Sequence, residues 1–241
     1  DGDFDAVIAN LAHPRFYDFS DKTEVLIQNN GTFTNIQGTF EKPIGDTGIR
    51  FQETHSVPAL ADFNLDGNLD LVISATYDGR PTDVYLGQGN GRFQPYHFES
   101  GILEPNGWGL AIADFNQDGK PDVASKTQLF RNQASGDETR WYQFTVVGDE
   151  TVNRAGIGTV LVATLNDGST RIQQISGGSG QGCQDSLTVQ FSMPESLSID
   201  TLTLRFPGGK ETTFQSDALQ ENGHTWVYES GRIVPGFMPP L

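Results

Sequence analysis

A single cysteine, Cys183, stands among the 241 residues. That scarcity excludes an internal disulfide framework and any cysteine-ligated zinc site. It also predicts that Cys183 is a small buried apolar side chain, the usual state of a free cysteine. Long apolar runs are missing too. No stretch approaches the roughly 20 residues that a membrane-spanning helix needs, and none keeps apolar spacing of three and four over a dozen residues, as an amphipathic helix would. Basic residues are few, 15 against 31 acidic ones, for a formal charge of −16. Such a surface repels phosphate backbones and shows no local basic patch, so nucleic acid is excluded as a partner. The four histidines, His13, His55, His97 and His224, have neither metal nor triad spacing. No G-x-S-x-G, H-E-x-x-H or phosphate-loop pattern appears.

What the chain has instead is turn chemistry. Gly is plentiful at 28, Pro reaches 12 and aromatics make up 10%, a mix that suits many short strands joined by tight turns. The expected class is all-β.

The acidic residues are grouped. A-D-F-N-L-D-G-N-L-D-L-V-I-S at 61–74 returns as A-D-F-N-Q-D-G-K-P-D-V-A-S at 113–125, and D-G-D-F-D-A-V-I-A opens the chain as a truncated copy. Aligned on their Asp-Gly pairs the copies lie 65 and 52 residues apart, long for a repeat but compatible with propeller blades carrying a loop insertion. Each loop is followed by an apolar β-type run. Next comes a second strand leading to an Asn/Gly turn: V-L-I-Q-N-N-G-T-F at 25–33, V-Y-L-G-Q-G-N-G-R-F at 84–93, and Q-L-F-R-N at 128–132. V-P-A-L-A and W-G-L-A-I-A precede loops two and three. Strand, loop, strand, hairpin, strand describes a four-stranded blade. Residues 1–135 then hold roughly two and a half blades, fewer than the four to eight that close a propeller. Further blades from upstream sequence are the expected complement.

Within a full loop, Asp62, Asn64, Asp66 and Asp70 present oxygens at positions 1, 3, 5 and 9, and Asp114, Asn116, Asp118 and Asp122 do the same. Gly at position 6 permits a tight wrap, and the carbonyl of position 7 (Asn68, Lys120) adds a ligand. An all-oxygen set suits Ca²⁺ better than Mg²⁺, which demands a tighter octahedron, or Zn²⁺, which prefers nitrogen and sulfur. Position 12 is Ile73 or Ser125 rather than the closing Glu of an EF-hand. Two Ca²⁺ sites are expected, with a third, partial one at Asp1, Asp3 and Asp5. A lone D-x-N-x-D-G is also an ordinary Asx turn; repetition with Asp at position 9 favours the cation. Its expected role is structural, tying two strands together.

These A-D-F-N-x-D-G-x-x-D loops resemble FG-GAP/VCBS repeats, the calcium-loop blades of integrin α-type propellers and of many secreted bacterial proteins. From Trp141 the acidic loops stop and alternating strands follow, T-L-T-L-R-F at 201–206 among them, as in a small β-sandwich or barrel. N-R-A-G-I-G at 153–158, G-S-G-Q-G-C-Q at 178–184 and L-R-F-P-G-G-K at 204–210 together resemble the ASPIC/UnbV module of the cartilage acidic protein family. Gln181 and Cys183 stand where that family has an aromatic residue and Ser, and Phe206 where it has Trp. The implied layout is propeller blades over 1–135 and the second module with its tail over 136–241.

No catalytic constellation is expected; Glu53 and His55, in a loop between blades, are the one candidate pair. Gly177–Gly182 reads as a flexible hairpin, Asn30-Gly31-Thr32 as a hairpin turn that is formally a glycosylation sequon, and Arg154 as an exposed charge or salt-bridge partner. The function these readings imply is an extracellular or periplasmic, calcium-binding, non-enzymatic adhesion or interaction protein that meets a protein or glycan at the propeller face. The alternatives are a secreted enzyme or enzyme subunit acting on polysaccharide, and a calcium-dependent lectin.

Overall fold

The computed structural model describes residues 3–11, 22–38, 42–103 and 107–237. Asp1, Gly2 and His13 lie outside them. The fold is all-β, with one 3₁₀ turn, at Ser216–Ala218, among the described residues, whose strands form five small sheets, three of them successive along the chain and two interleaved. The first joins β1 (Ala6–Ile8), β2 (Glu24–Asn29) and β3 (Thr32–Asn35). The second is a four-stranded antiparallel meander of β4 (His55–Ala61), β5 (Asp70–Ala75), β6 (Asp83–Gly87) and β7 (Phe93–Pro95). The third joins β8 (Leu110–Ala113), β9 (Asp122–Ser125) and β10 (Gln128–Phe130).

The turns follow the residues that make them. Asn30 and Gly31, at φ 50° and 80°, close the β2–β3 hairpin between the paired Asn29 and Thr32; both central residues at positive φ match the twist of the strands. The sequon at Asn30 is thus an exposed turn.

These three sheets pack side by side, as propeller blades do. Every residue of β5 is buried, and strand periodicity explains how. Leu71 and Ile73 face one way, into a cluster with Val25, Ile49, Tyr85 and Phe93. Val72 faces the other way, into a cluster with Ala59, Val84, Leu110, Ile112 and Val123. Successive side chains point to opposite faces, so one strand serves two cores.

The remaining two sheets are built differently. One is ordered β14 (Val189–Pro194), β11 (Thr139–Val147), β17 (Gly223–Tyr228), β18 (Ile233–Pro235), with β11 and β17 parallel. The other is ordered β13 (Thr170–Gln174), β12 (Val160–Leu165), β15 (Ile199–Arg205), β16 (Glu211–Gln215). Residues of both sheets enter one core, with Phe144, Leu161, Met193, Ile199, Leu202 and Leu204 all essentially inaccessible. The alternation read in T-L-T-L-R-F is what the fold uses: Leu202, Leu204 and Phe206 are buried, while Arg205 is exposed and pairs with Glu211 on β16.

Two expectations need adjusting here for physical reasons. Gly177–Gly182 does make a tight turn, with an antiparallel bridge between Gly180 and Cys183 and Ser179 N–H donating to the Cys183 carbonyl at 2.9 Å, but it does not join neighbouring strands, because β13 and β14 belong to different sheets. The segment crosses between them and lies along β8, the edge strand of the third sheet. Ile112 N–H donates to Asp185 Oδ1 (2.8 Å) and Ser186 N–H to the Ile112 carbonyl (2.8 Å), so the edge of β8 is partly covered. Cys183 is half-buried rather than a core residue. Its Sγ rests where a side chain on Gly109 would be and donates to the Gln181 carbonyl at 3.3 Å.

Candidate metal centre

Loops two and three share one backbone design. Position 4 is left-handed in both (Leu65 φ 62°, Gln117 φ 60°), as is the Gly at position 6 (Gly67 φ 90°, Gly119 φ 82°). A buried Leu at positive φ is a strained element, and its recurrence at the same place in a different residue shows that the wrap is imposed by the loop.

Each acidic side chain in the wrap has a defined task. Position 1 gathers two N–H groups: Asp62 Oδ1 and Oδ2 accept from Asp66 N–H (3.0 Å) and Gly67 N–H (2.8 Å), and Asp114 accepts from Asp118 N–H (3.1 Å) and Gly119 N–H (2.8 Å). Position 5 accepts from the position 7 N–H, Asp66 from Asn68 at 2.7 Å and Asp118 from Lys120 at 3.1 Å. Position 5 also accepts from the Asn amide at position 3, at 2.9 Å in both loops. Position 9 ties the loop to its sheet. Asp70 accepts from Phe63 N–H (2.8 Å) and Gly87 N–H (2.8 Å), and Asp122 from Phe115 N–H (3.2 Å) and Asn132 N–H (2.7 Å).

Loop one shows the last of these bonds. Asp5, its position 9, accepts from Gln28 N–H at 2.9 Å, the counterpart of Asp70 with Gly87. Asp3 and Asp5 are exposed, and Asp1 lies outside the described residues.

The electrostatics are those of carboxylates short of positive charge. Burial pushes the Asp62 carboxyl up to about 7, against backbone hydrogen bonds and with further push from Asp70 and Asp66. Asp70 is pushed up to about 6, again chiefly by burial. Burial also raises Asp122, helped by Asp114 and Asp118. Asp118 goes the other way. Burial opposes its ionisation, but hydrogen bonds from Asn116 and Arg131 outweigh it and hold the carboxyl low.

Among the described residues no three His, Cys, Asp or Glu side chains converge as a ready-made metal cage. The carboxylate oxygens are turned to loop N–H groups. The donor set nonetheless fits a hard cation in kind, since each loop offers three carboxylates and an Asn carbonyl oxygen. One atom is left over: Asn116 Oδ1, at position 3 of loop three, is buried with no hydrogen-bond partner, whereas Asn64 Oδ1 accepts from Asp66 N–H at 3.1 Å. A buried orphan acceptor is costly unless something supplies positive charge to it.

The candidate catalytic pair does not come together. Glu53 pairs with Arg80. His55 is buried, with Nδ1 at 2.7 Å from Thr23 Oγ1 and Nε2 at 3.0 Å from Asp83 Oδ2. Asp83 is the hub of a buried network, which sequence reading missed. It accepts from both ends of the Arg50 guanidinium and from Tyr85 Oη at 3.1 Å. Although burial opposes its charge, these donors, His55 first, hold Asp83 down to about 2. Glu229 is a second such hub; burial opposes its charge, but the Thr151 hydroxyl first, then the N–H groups of Val152, Glu150 and Thr151, outweigh it and hold the carboxyl at about 2. Arg154 is exposed.

Between the repeat sheets and the second module lies a cleft of about 440 Å³. Asp62 and Asp114, position 1 of each loop, line it opposite the outer face of β11, β14 and β17, which presents Gln143, Gln190, His224 and Trp226. No Lys or Arg is among its lining residues.

Comparison with known families agrees with this geometry. A family model described as FG-GAP-like repeat matches residues 62–125, from position 1 of loop two to the end of β9. A second, described as ASPIC and UnbV, matches residues 149–227. No curated protein matches the chain. The chain therefore has a propeller-type, all-β fold with one segment similar to FG-GAP-like repeats and a second similar to ASPIC and UnbV.

Proposed function

We propose that the chain is a calcium-stabilised, non-enzymatic interaction protein of the extracellular or periplasmic space, with one Ca²⁺ held by Asp62, Asn64, Asp66 and Asp70 and one by Asp114, Asn116, Asp118 and Asp122, each joined by the position 7 carbonyl. The observation that carries the reading is the paired loop: two copies with the same left-handed positions and the same crowding of carboxylates, with position 9 buried in both, and one of them with the orphaned Asn116 Oδ1. Bound calcium would supply the positive charge that this crowding lacks and turn its binding energy into fold stability. Oxygen loops of mM-range affinity fill outside cells and not in cytosol, which supports the compartment. The Asp3–Asp5 remnant adds a third, partial site. Binding rather than chemistry is favoured because Glu53 and His55 are each committed to a structural partner.

The inter-module cleft is where we place the protein or glycan partner. Its carboxylates and the absence of Lys and Arg from its lining favour a neutral or cationic surface.

Thermal melting with calcium and with chelator tests the metal reading. Asp118→Ala is expected to lower the melting temperature in calcium and remove much of the chelator effect, and Asp66→Ala to do the same at loop two. At 100-fold excess over Kd the calcium contribution is about 2.7 kcal/mol per site. Equal wild-type melting temperatures under both conditions would end the calcium reading.

A further inference from the structure

Both acidic loops are gripped from across the cleft by the second module. Gln190 Nε2 on β14 donates to the Gly119 carbonyl at 2.7 Å. Gln143 Nε2 on β11 donates to Asp114 Oδ2 at 2.7 Å and to Gln190 Oε1 at 2.9 Å. With Gly119 N–H on Asp114 Oδ2 (2.8 Å), these bonds close a ring of Asp114, Gln143, Gln190 and Gly119. Both peptide groups flanking the left-handed glycine are thereby fixed, one by the loop's own acid and one by the module. The Trp141 indole lies where a side chain on Gly119 would be. Loop two repeats the arrangement with another donor: Arg171 Nη1 on β13 bonds the Gly67 carbonyl and, at 3.1 Å, the Ser192 carbonyl. In each loop the carbonyl of position 6 is the atom held.

We propose that Gln143 and Gln190 are positioning residues of loop three, so that filling this loop with calcium and docking the second module on the repeats form one linked equilibrium. The proposal rests on the calcium reading above. Asp114 is a ligand of the loop and an acceptor for the module at once. A cation that draws on Asp114 holds the wrap in which the Gly119 carbonyl meets Gln190. Conversely, the amide of Gln143 orients the Asp114 carboxylate before any cation arrives, as partners of metal ligands do elsewhere, where their loss weakens metal binding about 10- to 100-fold. Linkage makes the effect reciprocal: whatever factor docking adds to calcium affinity, calcium adds to docking. The amides suit this task because they carry no charge to compete with the ion. At loop two the guanidinium of Arg171 grips the same carbonyl while bringing a positive charge, so the two loops differ in how docking bears on the cation.

The test uses the full chain with Trp108→Phe and Trp226→Phe, which leaves Trp141, against Gly119, as the single indole. Calcium is titrated by calorimetry and by Trp141 emission into the parent and into Gln143→Met, Gln190→Met and the pair. Gln174→Met, in the cleft but with no bond to the loop, is the control. The expected result is two tight binding events in the parent, beside a weak third at the partial site that the variants leave unchanged, a calcium-dependent shift of Trp141 emission reversed by chelator, and about a ten-fold loss at one tight site in the Met variants. The control is expected to titrate as the parent does. Each single replacement is measured as well as the pair, and far-ultraviolet circular dichroism verifies folding, so one misfolded variant leaves the other to decide. Affinity within two-fold of the parent in a folded variant overturns the coupling alone. No calcium binding by the parent overturns the calcium reading beneath it.

Discussion

The repeat region and the second module reach stability by different routes. The module gathers 17 buried apolar residues into one core shared by two four-stranded sheets. Among the described residues, the repeats divide their buried apolar side chains into clusters of seven and six, one on each side of β5. A blade too thin to own a core must be joined to its neighbours by other means. In this chain those means are polar: acidic loops that bind their sheets through backbone N–H groups, and the Asp83 hub. Hydrophobic burial responds to cavity volume and little to ions, whereas clasps of charge respond to pH and cations. The two halves should therefore fail under different insults.

The largest expected effect is Leu202→Ala in the module core. Leu202 is fully buried, and removing such a side chain costs about 3–5 kcal/mol. Chemical denaturation should show that loss with and without chelator alike. A loss that appears only in chelator would break the contrast between the halves.

Next is Asp83→Ala in the repeats, expected to cost about 3 kcal/mol by leaving His55 and the inner end of Arg50 without their buried acceptor. The same hub sharpens the comparison through acid. The folded Asp83 carboxyl sits at about 2, below its ordinary value of 3.8. Its contribution is thus complete above about pH 4 and is lost as pH falls toward 2. Glu229, also held at about 2, places a matching acid-sensitive group in the module. Asp83→Ala should flatten the acid unfolding of the repeats while leaving that of the module, which near-ultraviolet circular dichroism from their separate aromatic residues can follow.

A smaller effect distinguishes the two loops. Both Gly67 and Gly119 need positive φ, so alanine at either costs about 1 kcal/mol or more. At Gly119 the new methyl meets the Trp141 ring, whereas at Gly67 it meets the flexible end of Arg171. Gly119→Ala should therefore lower the melting temperature more than Gly67→Ala; the reverse order would mean that Trp141 gives way more readily than a guanidinium. The smallest effect belongs to Arg205→Ala. Arg205 and Glu211 are both more than half exposed, and breaking such a surface pair should change stability by less than about 0.5 kcal/mol.

The parts legible in the sequence were those made by local chemistry. The Asp-Gly pairs mark the wraps, Asn30-Gly31 marks its hairpin, and T-L-T-L-R-F announces its buried face, because φ preference and period-two alternation are properties of a few adjacent residues. The shared wrap of the loops was likewise readable from spacing, down to Asp5, which bonds its sheet as Asp70 does. Arg171, Gln190 and Gln143 gave no such signal. They lie 104, 71 and 29 residues from the loop atoms they hold, in strands where each looks like an ordinary outward-facing polar residue. Gly177–Gly182 was legible only in part: its glycines make the tight turn that bridges Gly180 to Cys183, but that the segment crosses between sheets depends on which strands pair.

By itself, then, the sequence determined an all-β chain with repeated oxygen-rich loops and a change of architecture near Trp141, since composition and short-range pattern settle those points. Only the tertiary structure decided that the acidic loops face a second module across a polar cleft. It alone showed Asp83 as a buried hub and Asn116 with an orphaned oxygen. Burial and long-range hydrogen bonding are set by which surfaces meet, and residues far apart in the chain carry no local mark of the partner that folding brings to them.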